Sequence, residues 1–326
     1  MTDLRRPEGE SRLRRLGSTD LKLTPLVLGG NVFGWTADKA ASFAVLDAFV
    51  EGGGVMIDTA DVYSAWVPGH HGGESETVIG EWLKESGKRD DVLIATKAGM
   101  LPGEGGEKLA PARIAAACEA SLQRLGTDRI DVYFAHQDDD ATPQDAYLAA
   151  FGKLVDAGKI RVVGVSNFTA ARLKSAVDLS RGQSDLPRVH VLQPEYNLVS
   201  RHKFEGELQD YAVQENVAVV PYYGLASGFL TGKYRSEADL GKSVRGGRMT
   251  DLLAGQGAAV LAAMDGVAAE TGATLAQIAL AWLIAQPGVT APIASATSVE
   301  QLRELLPAMT LEIDEDQLAR LTNAGV

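Results

Sequence analysis

Eight short apolar runs, each followed by a segment with helical spacing of its apolar residues, recur through the 326-residue chain. The runs are rich in Val, Ile and Leu and show no polar alternation, as expected of strands buried on both faces. The turn after the first run, Gly29-Gly30-Asn31-Val32-Phe33-Gly34, lacks the spacing of a dinucleotide fingerprint. Together these observations predict the α/β class, as a single (β/α)8 barrel rather than a doubly wound open sheet.

Residues 1–13 are polar and Arg-rich and read as a mobile N-terminal segment, leaving 14–326 as one domain. Residues 14–23 form a hairpin around Gly17-Ser18-Thr19-Asp20. The eight strands fall at 25–29, 55–57, 92–96, 130–135, 162–165, 189–192, 218–221 and 289–293. Apolar residues at three- and four-residue spacing place helices at 38–51, 74–85, 111–125, 143–157, 170–179, 202–215, 257–271 and 275–286. Pro111 and Pro143 stand where a first helical turn accepts proline. Residues 222–254 form a long loop after the seventh strand, far beyond the usual strand-to-helix connection. Its glycines (224, 228, 232, 241, 246 and 247) alternate with Lys233, Arg235, Lys242, Arg245 and Arg248, which suggests a flexible lid over an anion. A short helix at 299–306 and a C-terminal capping helix at 315–324 complete the chain.

The net charge of −12 argues against a nucleic-acid partner, which would need a basic face. The start of the chain has no apolar core of a secretory signal, and no stretch of about 18 uncharged apolar residues exists. A cytoplasmic location with no membrane partner is therefore expected. The single cysteine, Cys118, lies in an alanine-rich helical pattern and reads as a small buried hydrophobe. His70-His71 are adjacent among glycines, and neighbours in sequence rarely converge on one ion, so no metal site is expected.

Barrel enzymes carry their chemistry at the carboxyl ends of the strands. There the second strand ends in Asp58 with Tyr63 just beyond, the third in Lys97, the fourth in His136, the fifth in Ser166-Asn167 and the sixth in Gln193. Each alone has a plain structural explanation: a snorkelling lysine, a packed aromatic, a satisfied histidine or a capped turn. Together they explain one another. A lysine beside a tyrosine hydroxyl favours the phenolate and lowers the phenol's pKa, and a carboxylate holds that lysine charged and in place. A histidine within reach orients a carbonyl against the phenol, an arrangement for general acid catalysis on a carbonyl oxygen.

On these residues the chain resembles the aldo-keto reductases, from Arg15-Leu16-Gly17 to about Leu306. Asp58, Tyr63, Lys97 and His136 match that family's catalytic tetrad. Gly164-Val165-Ser166-Asn167-Phe168 and Gln193-Pro194-Glu195-Tyr196-Asn197 resemble its fifth- and sixth-strand motifs. The resemblance implies that Ser166, Asn167 and Gln193 hold the nicotinamide amide and that Tyr222 stacks on the ring. It likewise implies that Leu225, Ser227, Gly228 and Lys233 clasp the pyrophosphate, with Gly30, Asn31 and Gly224 beside the cofactor. Ser295, Thr297, Gln301 and Glu304 resemble the adenosine-phosphate segment. Two departures stand out: Tyr223-Gly224 replaces a frequent Ser-Pro, and Thr297 and Leu305 replace a basic residue and an asparagine. A hydroxyl binds phosphate less well than a bidentate arginine. NADPH is the expected cofactor, with NADH possible. Phe33, Trp35 and Trp66, in the loops after the first two strands, are expected to line an apolar substrate wall.

The activity implied is reversible, NADPH-dependent reduction of an aldehyde or ketone, with the proton from Tyr63 and a small-molecule carbonyl as partner. The alternative is an NADPH-binding, redox-sensing regulatory subunit with little turnover, since the family includes channel-associated relatives. A Schiff-base chemistry on Lys97 is a third, less favoured reading. The physiological substrate and the oligomeric state are not legible in the sequence.

Overall fold

The structure, a computed structural model, describes residues 13–242 and 246–324, without the side chain of Arg248. Residues 1–12 of the expected N-terminal segment, and Arg245 of the basic loop, lie outside the described residues.

The chain opens with the hairpin β1 (Arg14–Arg15) and β2 (Lys22–Leu23). Strands and helices then alternate: β3 (Val27–Gly29), α1 (Lys39–Glu51), β4 (Met56–Asp58), α2 (Glu74–Ser86), β5 (Leu93–Ala98) and α3 (Pro111–Leu125). They continue as β6 (Ile130–Ala135), α4 (Gln144–Asp156), β7 (Ile160–Ser166), α5 (Ala170–Gly182), β8 (Val189–Gln193) and α6 (Glu207–Gln214). The last part comprises β9 (Ala218–Val219), α7 (Thr250–Ala254), α8 (Gly257–Thr271), α9 (Leu275–Ala285), β10 (Ile293–Ala294), α10 (Val299–Leu305) and α11 (Glu315–Ala324).

The eight strands β3 to β10 form one parallel sheet in the order β10-β3-β4-β5-β6-β7-β8-β9. Its ends meet: Thr290 N donates to Val219 O at 2.8 Å and Ile293 N to Pro221 O at 2.8 Å. The sheet is thus a closed (β/α)8 barrel. The last two strands are shorter than their apolar runs because Pro221 and Pro292 have no N–H to give the ladder. The sixth helix starts at Glu207 rather than at 202, because Gly206, with φ of 91°, breaks the helical path before it.

Several helix starts are capped by side chains. Asp38 accepts from Ala41 N at the head of α1, Thr169 accepts from Arg172 N at the head of α5, and Thr274 and Gln277 form a capping box on α9. The expected lid, residues 222–254, has structure of its own: short 3-10 turns at Ala226–Thr231, Glu237–Lys242 and Gly246–Met249, followed by α7. Two of its cations are already paired, Arg235 with Asp265 at 2.7 Å and Lys242 with Asp239 at 2.7 Å.

Two apolar layers make most of the core. One lies between the strands and the helices and includes Trp82, Tyr133, Phe151 and Trp282. The other fills the barrel with Val27, Met56, Ala95, Val132, Phe134, Val162, Val191, Ala218, Val220, Ala291 and Ile293, and Leu16, Leu21 and Leu23 of the hairpin plug its base. Gly164 is required here, since a Cβ would sit 2.5 Å from the Phe134 ring. Among the described residues no single helix is long and apolar enough to cross a membrane.

Candidate active site

The side-chain period of a strand is two, so the inward residues of the barrel core fix what stands one step higher. Two residues beyond Met56, Ala95, Phe134, Val191, Val220 and Ile293 come Asp58, Lys97, His136, Gln193, Tyr222 and Ser295. Ser166 joins them from the end of β7, after a register shift at Val163/Gly164. The strand ends therefore converge on one mouth, opposite the hairpin plug.

Lys97 is fully buried, and its three N–H groups have three acceptors: Asp58 Oδ2 at 2.7 Å, the Thr59 carbonyl at 2.7 Å and the Tyr63 hydroxyl at 2.9 Å. An ammonium has three donors and no acceptor, so this arrangement satisfies the charged form. Burial lowers the Lys97 pKa, and Asp58, Asp61 and Glu76 oppose that shift. An amine so occupied is poorly placed to attack a carbonyl, which disfavours Schiff-base chemistry.

Tyr63 reaches this lysine because strand-like pairing continues past Asp58. Thr59 N donates to Ala95 O and Asp61 N to Lys97 O, after which the chain turns with Tyr63 N on Ala60 O. The Tyr63 hydroxyl also donates to Asp58 Oδ2 at 3.3 Å. The expected lowering of its pKa is not the net result. Burial, followed by the charge of Asp58, pushes the phenol well above its ordinary value. The carboxylate that holds Lys97 also faces the phenol and offsets the lysine's pull. Tyr63 is thus held as a protonated phenol, the form that donates.

The His136 ring lies 6.1 Å from the Tyr63 ring, edge to face. Burial, then the Lys97 charge, lowers its pKa well below the ordinary histidine value, so the ring is neutral. Its Nδ1 is buried without a hydrogen-bond partner.

Beside this group the polar side chains interlock. Ser166 Oγ donates to Gln193 O at 2.8 Å, Asn167 Nδ2 to His136 O at 3.0 Å, and the Tyr222 hydroxyl to Asn167 Oδ1 at 2.8 Å. Asn167 holds a left-handed backbone with φ of 59°. Gln193, expected on a nicotinamide amide, also reaches the catalytic group: its Nε2 donates to Asp58 Oδ1 at 2.9 Å. Sequence reasoning missed this contact because it joins strands far apart in the chain.

The loop after β9 carries Ala226, Ser227 and Gly228 with φ of 46°, 56° and 94°. Successive left-handed residues make a tight turn of the kind that cradles anions. Lys233 folds over it, and a Cβ on Gly228 would lie 2.9 Å from Lys233 Nζ. Leu225 packs partly buried against the core at the start of this turn, and Gly224 is buried before it. Across the mouth, Ser295 Oγ donates to Asn31 Oδ1 at 2.5 Å, and Gly30 N to Asp58 O at 2.7 Å. Thr297 bonds Gln301 Oε1 through both its amide and its hydroxyl at 3.0 Å, and Gln301 and Glu304 are exposed. The turn and the Lys233 ammonium could receive a phosphate group, and Ser295 and Thr297 add hydroxyls at the rim.

Trp66 is 50% exposed and stands 5.5 Å from Trp35 and 6.3 Å from Tyr63, both edge to face. Phe33 does not share this surface: it is fully buried in the core between strands and helices. Among the described residues no group of three or more His, Cys, Asp or Glu is placed to hold a metal. Asp61, Glu76 and Arg113 form a buried charged group behind the site that no periodicity in the sequence marks.

A sequence profile of the aldo/keto reductase family matches residues 25–325. The chain is 33% identical to an uncharacterized oxidoreductase, YrpG, of Bacillus subtilis, over 94% of each chain. It is 30% identical to the L-glyceraldehyde 3-phosphate reductase of Escherichia coli, over 98% of this chain and 95% of that one. A probable voltage-gated potassium channel subunit beta of Arabidopsis thaliana is 32% identical, over 91% of this chain and 90% of the relative. With a family match across almost its whole length, on a barrel of the expected architecture, the chain belongs to the aldo/keto reductase family and is an oxidoreductase of carbonyl groups that uses a nicotinamide cofactor.

Proposed function

We propose that the protein reduces an aldehyde or ketone with NADPH, taking the proton from Tyr63. The observation that carries this is the threefold anchoring of Lys97 on Asp58, the Thr59 carbonyl and the Tyr63 hydroxyl. A carbonyl oxygen at the mouth accepts a hydrogen bond from Tyr63, and neutral His136 orients it with the one N–H it has to give. NADPH supplies the hydride to the carbonyl carbon when bound. As negative charge grows on the oxygen, Tyr63 gives up its proton. The phenolate left behind is met by the Lys97 ammonium at 2.9 Å, and Asp58 keeps that ammonium in place.

Ser166, Asn167 and Tyr222 would hold the nicotinamide, while Gly224, Leu225, Ser227, Gly228 and Lys233 would hold the pyrophosphate. Gly30 and Asn31 would lie alongside, with Ser295, Thr297, Gln301 and Glu304 at the adenosine end. Gln193 would join Ser166 and Asn167 on the nicotinamide amide while its Nε2 also holds Asp58. Trp35 and Trp66 would form the apolar substrate wall. Fluorescence titration should show tighter binding of NADPH than of NADH; the reverse order would reassign the cofactor. Tyr63→Phe should bind NADPH as the wild type does and lose about 10²–10⁴ in turnover. Undiminished turnover in that variant rules out Tyr63 as the donor.

The likeness to the potassium channel subunit beta supports a second reading, a regulatory subunit with little turnover. Slow wild-type turnover on a wide carbonyl panel, combined with tight NADPH retention, would favour it.

A further inference from the structure

A second buried carboxylate lies between Asp58 and Tyr63, and the mechanism leaves it unused. Asp61 is fully buried, and its N–H donates to the carbonyl of Lys97 at 3.2 Å. Neither of its carboxylate oxygens accepts a hydrogen bond of good geometry, the adjacent Val62 amide giving only a weak contact. The facing cation is Arg113 of α3, whose NH2 stands 3.6 Å from Asp61 Oδ2. Arg113 spends its other donors on the loop that follows β5, with Nε on Leu101 O at 3.0 Å and NH1 on Glu104 O at 3.2 Å. One guanidinium therefore ties the loop of Tyr63 to the loop that leaves Lys97.

Other elements face Asp61 as well. Glu76 of α2 is fully buried and is itself held by Arg124 of α3 at 2.7 Å and by Thr96 of β5 at 2.6 Å. Lys97 of β5 and the unpartnered Tyr133 hydroxyl of β6 also feel the Asp61 charge. Asp58 of β4 lies just upstream. A buried carboxylate with an imperfect ion pair is an expensive way to fill space.

We propose that Asp61 is a positioning residue for the proton transfer. As a carboxylate it draws Arg113 in, fixes the Tyr63 loop against the Lys97 backbone, and adds to the negative charge that keeps Lys97 an ammonium. As a neutral acid it lets Arg113 go. The proposal rests on the reading of Tyr63 as donor. Burial and then Glu76 push the Asp61 carboxyl up to about 7, against the pull of Arg113 and Arg124. The switch therefore falls near neutrality, with the anchored form above it.

The test is the single-turnover rate of para-nitrobenzaldehyde reduction by the full chain loaded with NADPH, followed across neutral pH. The wild-type rate should rise through an inflection near pH 7. Asp61→Asn, close in shape and uncharged, should bind NADPH normally, lose the inflection, and run about ten- to a hundredfold slower than wild type on the alkaline side. Arg113→Gln should move the inflection to higher pH, because it removes a charge that favours the carboxylate. A wild-type profile flat through neutrality, or an Asp61→Asn profile that keeps the inflection, overturns the proposal. Neither result touches the donor assignment, which fails only if Tyr63→Phe stays active.

Discussion

Asp58 and Asp61 stand on the same stretch of chain, both buried, and they are provided for very differently. Asp58 accepts from Lys97 at 2.7 Å and Tyr63 at 3.3 Å on one oxygen and from Gln193 at 2.9 Å on the other. Asp61 has a guanidinium 3.6 Å away and no well-formed hydrogen bond. Both sit beside a buried cation, so burial alone does not separate them. The number of donors does. A charge surrounded by donors is held as part of the framework, whereas one with a single distant partner is held loosely.

Removing the main donor of the well-provided acid should have the largest effect. Lys97→Met leaves Asp58 without its ion-pair partner, and removing one partner of a buried pair costs about 3–5 kcal/mol. Denaturant unfolding should show that loss, together with loss of turnover. Unfolding unchanged from wild type would mean that the Asp58 charge is not held by Lys97.

At Asp61 the expected change depends on pH. Its carboxyl moves from 3.8 to about 7 on folding, so between these values the folded chain binds more protons than the unfolded one. Stability contributed by this group falls as pH rises through that window. Asp61→Asn should therefore be the more stable protein above pH 7, by up to ~4 kcal/mol at 1.36 kcal/mol per pKa unit. The gain should shrink toward acid pH. A stability difference independent of pH would show that Asp61 does not titrate as its surroundings indicate.

The smallest change is expected from thinning the donors around Asp58. Gln193→Leu leaves Oδ1 without its partner, at about 1–3 kcal/mol. If Gln193 serves only a cofactor amide, the apo protein should unfold as wild type does and NADPH affinity alone should drop. That outcome would leave Gln193 with the cofactor role alone.

The barrel was legible because buried parallel strands and amphipathic helices leave different periods in the chain, and eight repeats of the pair leave few other architectures. Asp58, Lys97 and His136 were legible for a related reason. Each breaks an apolar run at its carboxyl end, where polarity needs a purpose. Loop positions carry no such period. Phe33 looked like a surface aromatic and is fully buried, because the turn that places it inside depends on contacts such as Ser64 Oγ on its carbonyl. Gln193 carried a family role, and its bond to Asp58 spans 135 residues of sequence. The direction of the Tyr63 shift was missed because the sequence shows that a lysine and a carboxylate are nearby, not which acts more strongly on the phenol.

The way the ring is shut also bears on how the chain is made. Arg14 NH1 grips the carbonyls of Ile284, Val289 and Thr290, contacts 270 to 276 residues apart, and β3 finds its second neighbour only in β10. During synthesis the first strand therefore waits, one edge bare, until almost the entire polypeptide has left the ribosome. Contacts of such long range form late, and bare strand edges invite pairing with other chains in the meantime. A chain cut short before Ile293 would keep Asp58, Tyr63, Lys97 and His136 and still leave its barrel open along a seam.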